Sequence, residues 1–414
     1  MARSSGADYD VVIAGGGMIG TSLALALAPL GLRIAMVEAV ERSSTSQPSF
    51  DDRSTALSRS TQRMFEAMRL WPDIAAASTP IRRIHVSDKG RFGFSHIDAE
   101  EQNVEALGYV VINRVLGEVL QDSLAEQAAV DIICPARIND VRRSPESVEA
   151  DVIRADGKND TLSAHLLVAA DGANSTVRDL IGIGVSQERY RQHAVIGNLH
   201  PEKPLHNVAY ERFTDCGPLA LLPIADDRAA FVWTVGEEEA SRVLELDDEA
   251  FVDELQSAFG FRLGRFSRVG KRDAYPLSLS KAMRLTAMRS VLVGNAAHGL
   301  HPVAAQGFNL GMRDVAVLCD CIADSCEDAD TAAIGATDVL DRYAAWRKSD
   351  QKKLVQFTDG LVRLFGSEKL SVRMMRNVGM LGFDLVPGVR SEFARHTMGL
   401  AGRLPRLSRG VPLT

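Results

Sequence analysis

A glycine-rich turn between a strand and a helix, within residues 10–38, restricts the fold of this chain more than any other feature. Residues 10–14 are mostly apolar and β-branched, and this segment is too short for a helix, so it predicts a buried strand. Residues 15–20 read Gly-Gly-Gly-Met-Ile-Gly and precede an apolar, helix-forming segment. A second strand is predicted over residues 32–37, directly before Glu38. This order of strand, Gly-x-Gly-x-x-Gly turn, helix, strand and acid is typical of a dinucleotide-binding βαβ unit.

Each of these residue types suits a dinucleotide-binding turn for a physical reason. Gly15 permits the tight turn, Gly17 lets the backbone approach a pyrophosphate, and Gly20 lets the helix pack closely on the strand. The helix N-terminus offers unpaired N–H groups and partial positive charge to the phosphates. Glu38 is placed to accept hydrogen bonds from ribose hydroxyls. The alternative is a glycine-rich turn in another α/β fold without a nucleotide.

Composition and charge argue against several classes of protein. The 414 residues suffice for two or three domains, and 46% hydrophobic with 24% charged residues argues against disorder. The net charge is −7 without a basic block, so no nucleic-acid partner is expected. The N-terminus is short and polar and no long apolar run occurs, so we expect a cytoplasmic protein. Five cysteines without Cys-x-x-Cys spacing predict buried free thiols and no metal site.

A second chemically informative segment surrounds Asp171. The apolar residues 166–170 predict a strand that stops at Asp171 and Gly172, and a helix starts shortly afterwards. A carboxylate at the carboxyl end of a strand lies where open α/β sheets bind ligands. Alternatively, Asp171 caps the following helix. The sequence leaves both interpretations open.

A third segment follows the predicted strand over residues 290–293. This strand ends at Gly294 and Asn295, and a loop with two histidines leads to a helix opened by Gln306 and Gly307. A second helix N-terminus directed at the same region supplies N–H donors and positive potential for an anion. We interpret the histidines as structural, because no surroundings for a general base are visible in the sequence.

The remaining chain is less specific. Arg53 precedes a predicted amphipathic helix and either reaches the nucleotide or remains solvated. Short alternating patterns over residues 81–109 and 186–276 predict antiparallel strands. Beyond residue 341 the chain is helical and moderately basic, with apolar surfaces between residues 354 and 385. These surfaces pack on the core or meet a partner or membrane.

Together, the three segments resemble the single-component flavoprotein aromatic hydroxylases, which share the para-hydroxybenzoate hydroxylase fold. The resemblance covers nearly the whole chain, and three motifs in this order are more specific than any one of them. Within the family, further segments look most like the ubiquinone-biosynthesis branch. They are residues 50–58, 84–88, 211–213, 217–223 and 294–297.

The resemblance implies an α/β fold with a Rossmann-like FAD-binding domain, an interleaved antiparallel-sheet substrate domain and a helical C-terminal region. The expected FAD-binding domain is discontinuous and comprises residues 1–80, 110–185 and 277–340. The substrate domain comprises residues 81–109 and 186–276, and the C-terminal region residues 341–414.

The resemblance also implies which residues hold FAD. Arg53 reaches the cofactor near the flavin, and Asp171 with Gly172 contacts FAD and NAD(P)H. Asn295 stands where many relatives carry Asp, and Ala305 where relatives usually have Gly. The complete implied set is Gly15, Gly17, Gly20, Glu38, Arg53, Asp171, Gly172, Gly294, Asn295, Ala305, Gln306, Gly307 and Asn309.

The implied reaction is hydroxylation of a prenylated phenol precursor of ubiquinone with NAD(P)H and O₂, through a flavin C4a-hydroperoxide. Candidates for the substrate pocket are Tyr210, Arg212, Pro223, Trp233 and Pro302, although aromatic residues in such strands are more often core. Two alternatives remain: another FAD-dependent oxidoreductase of this fold, or a redox-silent flavoprotein scaffold in a quinone-biosynthesis complex. Because a prenyl tail partitions into lipid, peripheral contact with the inner membrane or with such a complex is expected. The sequence leaves the oligomeric state open.

Overall fold

The computed structural model of the protein describes residues 7–42, 53–90, 94–299, 306–326, 331–350 and 387–414. In chain order the strands are β1 (Tyr9–Ala14), β2 (Ile34–Val37), β3 (Ser54–Ser58), β4 (Ser78–Ile81), β5 (Arg83–Asp88), β6 (Phe94–Asp98), β7 (Gly108–Ile112), β8 (Val130–Ile133), β9 (Ala136–Arg143), β10 (Val148–Arg154), β11 (Asn159–Ala169), β12 (Val185–Pro201), β13 (Val208–Thr214), β14 (Gly217–Pro223), β15 (Ala229–Gly236), β16 (Phe266–Val269), β17 (Asp273–Ala282), β18 (Thr286–Ala287), β19 (Ser290–Leu292) and β20 (His298–Gly299). The helices are α1 (Met18–Leu27), α2 (Arg59–Ala67), α3 (Trp71–Ala76), α4 (Asn113–Ala125), α5 (Thr176–Leu180), α6 (Glu237–Glu245), α7 (Asp248–Phe259), α8 (Gln306–Ser325), α9 (337–350) and α10 (Pro387–Thr397).

An eight-stranded sheet contains the glycine-rich turn. Its parallel strands lie in the order β19-β11-β1-β2-β8, and β18, β10 and β9 extend it with antiparallel pairs. β2 is fully buried and β1 nearly so, which explains their continuous apolar sequences. The connection from β1 through α1 to the parallel β2 confirms the predicted Rossmann-like unit.

A nine-stranded sheet is built mainly from the middle of the chain. Its order is β20-β17-β12-β15-β14-β13-β5-β6, with β16 added beside β12. All its pairs are antiparallel except β13 with β5. On one face, side chains of β14 and β15 share a core with α6 and α7. On the other face, Ala209, Leu222 and Ala230 pack against Val110 and Ile81 of a three-stranded sheet.

The three-stranded sheet has the order β3-β7-β4 and corrects one expectation. Arg53 does not directly precede a helix, because β3 intervenes and pairs with β7, Ala56 opposite Val110. The helix begins only after Ser58, whose side chain accepts a hydrogen bond from the Thr61 N–H. The strand was missed because its five residues carry no clear alternation.

The C-terminal part is described only in pieces. α9 packs into the core, with Tyr343 and Arg347 fully buried. α10 follows residues 351–386, so the apolar surfaces predicted there lie outside the described residues. Within the described ranges, no helix is long and apolar enough to cross a membrane.

The cysteines are free thiols, but they are not all buried. Cys319 and Cys321 lie in the core on α8, as predicted, whereas Cys134 and Cys216 are exposed. In the part of the chain that the structure describes, no cluster of His, Cys, Asp or Glu could hold a metal ion.

Candidate active site

A cleft of about 1450 Å³ is lined by residues of both large sheets. The carboxyl ends of β1, β2 and β11 form one wall, where α/β sheets bind their ligands. Leu222, Val232 and Tyr275 of the nine-stranded sheet also line the cleft. It collects the following predicted cofactor-binding residues: Gly15, Gly17, Glu38, Asp171, Gly172, Gly294, Asn295 and Gly307.

The geometry of the first turn explains its glycines. Gly15 has a φ of +101°, and a Cβ there would lie 2.6 Å from the carbonyl oxygen of Ala170. A Cβ at Gly20 would lie 1.9 Å from the Gly15 carbonyl oxygen, so only glycine lets α1 approach β1 this closely. Gly17 is the N-cap of α1 and provides no capping side chain. The first-turn N–H groups are therefore available to an anion in the cleft.

Glu38 is fixed by the backbone around it. One carboxylate oxygen accepts the Gly16 N–H at 2.5 Å, and the other accepts the Val40 N–H at 2.8 Å. A carboxylate has about four lone-pair positions, so roughly two remain for ribose hydroxyls. The two backbone bonds thus hold Glu38 in an orientation suited to the predicted role.

Asp171 combines the two roles that the sequence left open. Its Oδ2 accepts the Val177 N–H at 3.1 Å, and its Oδ1 accepts the Ser175 hydroxyl. The Ser175 hydroxyl oxygen in turn accepts the Arg178 N–H at 2.9 Å, which caps α5. Asp171 therefore supports the helix start while it lines the cleft beside Gly172, whose φ is +87°.

A buried set of charges holds the Gly294 turn from behind. The Gly294 N–H donates to Asp314 Oδ2 at 2.9 Å, and His298 Nε2 lies 2.6 Å from the same oxygen. Arg347 Nε donates to Asp314 Oδ1 at 2.6 Å, and Arg347 Nη1 donates to Asp350 at 2.9 Å. We call Asp314, His298, Arg347 and Asp350 the Asp314 network.

The electrostatics of Asp314 follow from this pairing. Burial alone would raise the pKa of the Asp314 carboxyl, but His298 and Arg347 outweigh it, so the pKa lies below its usual value. The sequence interpretation missed this residue. A signal was present, because Asp314 is an acidic residue in an apolar part of α8, where Met312, Val315 and Ala316 are completely buried.

The N-terminus of α8 reaches the cleft as predicted. Gly307 and Phe308 line it, and α8 begins at Gln306. The Gln306 side chain and the predicted residues Pro302 and Ala305 lie outside the described residues.

Asn309 has a different position from the one predicted. Its Oδ1 accepts the Ser58 N–H and the Thr61 hydroxyl, both at 2.8 Å, and its Nδ2 donates to the Ala56 carbonyl at 2.8 Å. It is nearly buried and ties α8 to the junction of β3 and α2. Direct contact between Asn309 and a cofactor stays a prediction.

Arg53 lies beside the cleft. Its guanidinium carbon is 5.0 Å from the centre of the Tyr275 ring, which itself lines the cleft. This cation–π contact places a positive charge at the wall formed by the nine-stranded sheet.

Four substrate-pocket candidates lie on the face of that sheet that packs on α6 and α7. Tyr210 is opposite Leu221, and Arg212 is opposite Leu219, so Tyr210 and Arg212 share the face that packs on α6 and α7. Trp233, opposite Leu219, is on this face too, as is Pro223, opposite Ala229. Side chains alternate along a strand, so a residue one position away faces the cleft instead.

Ring contacts agree with this placement. The Tyr210 ring lies 5.4 Å from that of His85 and 5.8 Å from that of Phe259. The Trp233 ring lies 5.8 Å from that of Phe251 on α7. These contacts favour the alternative interpretation of Tyr210 and Trp233 as core residues, and their role in a substrate pocket stays a prediction. The fifth candidate, Pro302, is not described.

The cleft fits FAD. Its first turn admits a pyrophosphate to bare helix N–H groups, and Glu38 retains capacity for the ribose. Its volume of about 1450 Å³ provides room for a dinucleotide. The Gly294 turn and α8 complete the wall on which the ring system would lie.

Comparison with known proteins identifies the class. The family model described as "FAD binding domain" matches residues 8–358, and the chain belongs to this family. The family comprises FAD-dependent monooxygenases, and FAD is the cofactor of this protein.

The individual relatives agree with the family assignment. Ubiquinone hydroxylase UbiL of Rhodospirillum rubrum is 36% identical over 98% of this chain and 93% of its own. The 3-demethoxyubiquinol 3-hydroxylase of Escherichia coli is 29% identical over 94% of this chain and 98% of its own. The structure of p-nitrophenol 4-monooxygenase from Pseudomonas putida superposes with a TM-score of 0.79, covering 95% of this chain and 98% of the other at 19% identity. That likeness shows the shared fold, which confirms the predicted aromatic-hydroxylase architecture.

Proposed function

We propose that the protein hydroxylates the ring of a prenylated phenol on the route to ubiquinone, with NAD(P)H and O₂ as co-substrates. The observation that carries the proposal is the similarity to a ubiquinone hydroxylase over almost the whole length of both chains. The domain boundaries given above, with one cofactor-binding and one substrate-binding unit, are part of the same proposal.

The cleft wall supports an uncharged substrate. The nine-stranded sheet contributes apolar and neutral residues there, and none of its described lining residues is charged: Leu222, Val232, Tyr275, Pro276, Leu277, Ser278, Ser280 and Gly299. The cation beside this wall, Arg53, lies over the Tyr275 ring, and the lining residues of the sheet themselves offer a benzoate carboxylate no charged partner. A phenol with a hydrocarbon tail needs only apolar surface and a partner for its hydroxyl.

Bound FAD supplies electron transfer from NAD(P)H and the activation of O₂. The protein binds and orients the groups around it. Gly15, Gly17 and Glu38 hold the ADP half, the Gly294 turn and α8 hold the flavin end, and Leu222 with Val232 excludes water from the ring. A long tail must leave the site toward a lipid surface or partner, so we include peripheral membrane contact in the proposal.

The test compares two phenols on the purified holoenzyme. Flavin reduction by NADH and NADPH is followed by stopped flow, and product is identified by mass with ¹⁸O₂. We expect ortho-farnesylphenol to be hydroxylated with better coupling than para-hydroxybenzoate. Better coupling with para-hydroxybenzoate would contradict the substrate class, and reduction without oxygen incorporation would favour another oxidoreductase. No reduction by either nucleotide would favour the redox-silent scaffold.

A charged side chain in the wall provides a matched control. Val232→Lys puts a cation into the apolar wall and should lower turnover of ortho-farnesylphenol at least tenfold. Ala225→Lys adds the same charge in an exposed turn of the same sheet and should leave turnover unchanged. Equal turnover in both variants would contradict an apolar substrate at this wall.

A further inference from the structure

Glu211 is the acidic residue of β13, and its strand register places it on the face that meets the cleft. It lies opposite Ala220, and Ala220 lies opposite Val232, which lines the cleft. Residues directly opposite on neighbouring strands share a face. Glu211 is two strands from Val232, or about 10 Å. It is also one position away from the two candidates Tyr210 and Arg212, which face the other way.

No described residue forms a hydrogen bond or ion pair with Glu211. Across β5 its neighbour is Val86, and across β14 it is Ala220, so apolar groups flank it on both sides. Asp88, opposite Phe213, is the other titratable residue on this face of β5, β13 and β14.

Arg212 lies on the opposite face of β13 and points toward the α7 side, where Arg262 follows that helix. His85 lies on the same side, and burial lowers its pKa to about 4, so it is uncharged at neutral pH. Burial among uncharged groups is the one cause that raises the pKa of Glu211, to about 7. The carboxyl is thus close to half ionised at neutral pH, and it can both accept and release a proton.

We propose that Glu211 binds the phenol hydroxyl in the cleft and acts as the base that takes its proton during hydroxylation. This inference rests on the proposed function, because it assigns the partner of the hydroxyl that a prenylated phenol brings. A neutral phenol offers no other polar handle to an apolar wall. The Glu211 carboxylate, on the same face of the sheet as Val232, accepts the O–H and fixes the ring.

Each proton in the hydroxylation step has a donor and an acceptor. The phenol O–H bond breaks and its proton moves to a Glu211 oxygen, while the electron pair stays on the phenol oxygen and enriches the ring. The ring carbon then forms a C–O bond to one oxygen atom of O₂ as the O–O bond breaks, and a ring ketone forms. NAD(P)H supplies the two electrons, and the other oxygen atom leaves as water. The ring carbon loses its hydrogen as a proton to solvent, and Glu211 returns its proton to the ketone oxygen, which restores the aromatic dihydroxy product.

The experiment uses the holoenzyme with Glu211→Gln, Glu211→Asp and the control Glu238→Gln, which lies exposed at the start of α6. In wild type, hydroxylation of ortho-farnesylphenol should rise with pH through about 7. Glu211→Gln should lose that rise and at least about 100-fold in hydroxylation, the usual share of a general base. Flavin reduction should stay within about twofold, and Glu211→Asp should restore part of the activity and the pH dependence.

A second readout does not depend on turnover. Infrared difference titration of the oxidised holoenzyme should show a protonated-carboxyl band with a midpoint near pH 7 that is absent in Glu211→Gln. Adding unsubstituted phenol should shift this band. Wild-type rates and pH profile in Glu211→Gln, or a band that phenol leaves unchanged, would overturn the assignment.

The two proposals fail in different ways. If wild type does not hydroxylate ortho-farnesylphenol, the proposed function fails, and the infrared titration with phenol still decides whether Glu211 contacts a phenol. If wild type hydroxylates it and Glu211→Gln does so equally well, only the role of Glu211 fails.

Discussion

Two carboxyl groups in different regions of the molecule, buried Asp314 and half-buried Glu211, have opposite surroundings. Asp314, behind the Gly294 turn, accepts hydrogen bonds from a backbone N–H and Arg347 and pairs with His298. Glu211, on the cleft face of the nine-stranded sheet, has no such partner among the described residues. The pKa of Asp314 is lowered, whereas burial raises the pKa of Glu211 to about 7.

The difference teaches which acid is structural and which is suited to chemistry. A carboxylate surrounded by donors keeps its charge at every physiological pH, so it can hold a turn but cannot exchange a proton. A carboxyl with a pKa near the working pH can do so. Burial acts to raise the pKa of both carboxyls, so this effect alone does not identify the functional one.

Replacing Asp314, the acid with charged partners, should have the largest effect on the free energy of unfolding. Asp314→Asn leaves Arg347 buried without its carboxylate, which costs about 3–5 kcal/mol in the free energy of unfolding. FAD affinity should fall as well, because the Gly294 turn loses its N–H acceptor. Urea unfolding and FAD titration of the apoprotein measure the two effects.

The control is on the same helix. Asp324→Asn removes an exposed ion pair with Arg406 and should cost under about 1 kcal/mol. Because the folded pKa of Asp314 is depressed, its contribution is present above the ordinary pKa of an aspartate and is lost as the pH falls through the folded value. An Asp314→Asn protein as stable as Asp324→Asn would show that the network does not support the fold.

The stability contribution of Glu211, which has no such partner among the described residues, should depend on pH in the opposite direction. The pKa of Glu211 is about 7 in the folded protein against 4.5 for a free glutamate, so ionisation costs up to about 3 kcal/mol of stability. The stability that the protein has with Glu211 protonated is fully present below the unfolded pKa and is lost as pH rises through about 7. Relative to wild type, Glu211→Gln should therefore gain stability between pH 4 and 8.5. Parallel pH profiles of urea unfolding for the two proteins would contradict a raised pKa.

A cation introduced beside Glu211 should lower the pKa of Glu211, as His298 and Arg347 lower that of Asp314. Ala220→Lys places an ammonium on the cross-strand neighbour, within about 5 Å between Cβ atoms. An opposite charge at this distance lowers a carboxyl pKa by about 1–3. The infrared midpoint and the rise of hydroxylation with pH should both move to lower pH. Ala225→Lys is the control, and a midpoint unchanged in Ala220→Lys would place Glu211 away from that position.

The nucleotide end was predictable because its constraints are local. Gly15 and Gly20 have no alternative within their own turn, and Glu38 follows directly on β2. The Asp314 network was not predictable, since it joins residues 294, 314 and 347 through the fold. The hydrogen bonds of Asn309 were not predictable for the same reason, because its partners Ser58 and Thr61 come from a distant segment.

The cleft-facing residues of the nine-stranded sheet were not predictable for a different reason. Alternation tells which residues share a face, but both faces of this sheet are covered by apolar groups, so the pattern is equally apolar on each. The large aromatic residues Tyr210 and Trp233 attracted attention, although they serve the core with α7. The informative residue was the one charged residue of β13 in the alternate position, Glu211.

The smallest effect tests this corrected face directly. Tyr210→Phe removes a hydroxyl on the α7 side, so KM for ortho-farnesylphenol and coupling should stay within about twofold of wild type. Val232→Ala removes two methyl groups from the cleft wall, worth about 1.5 kcal/mol, and should raise KM up to about tenfold. Steady-state kinetics with oxygen-coupling analysis separates the two. A larger loss in Tyr210→Phe than in Val232→Ala would mean that the substrate binds on the α7 side, and Glu211 would then face away from it.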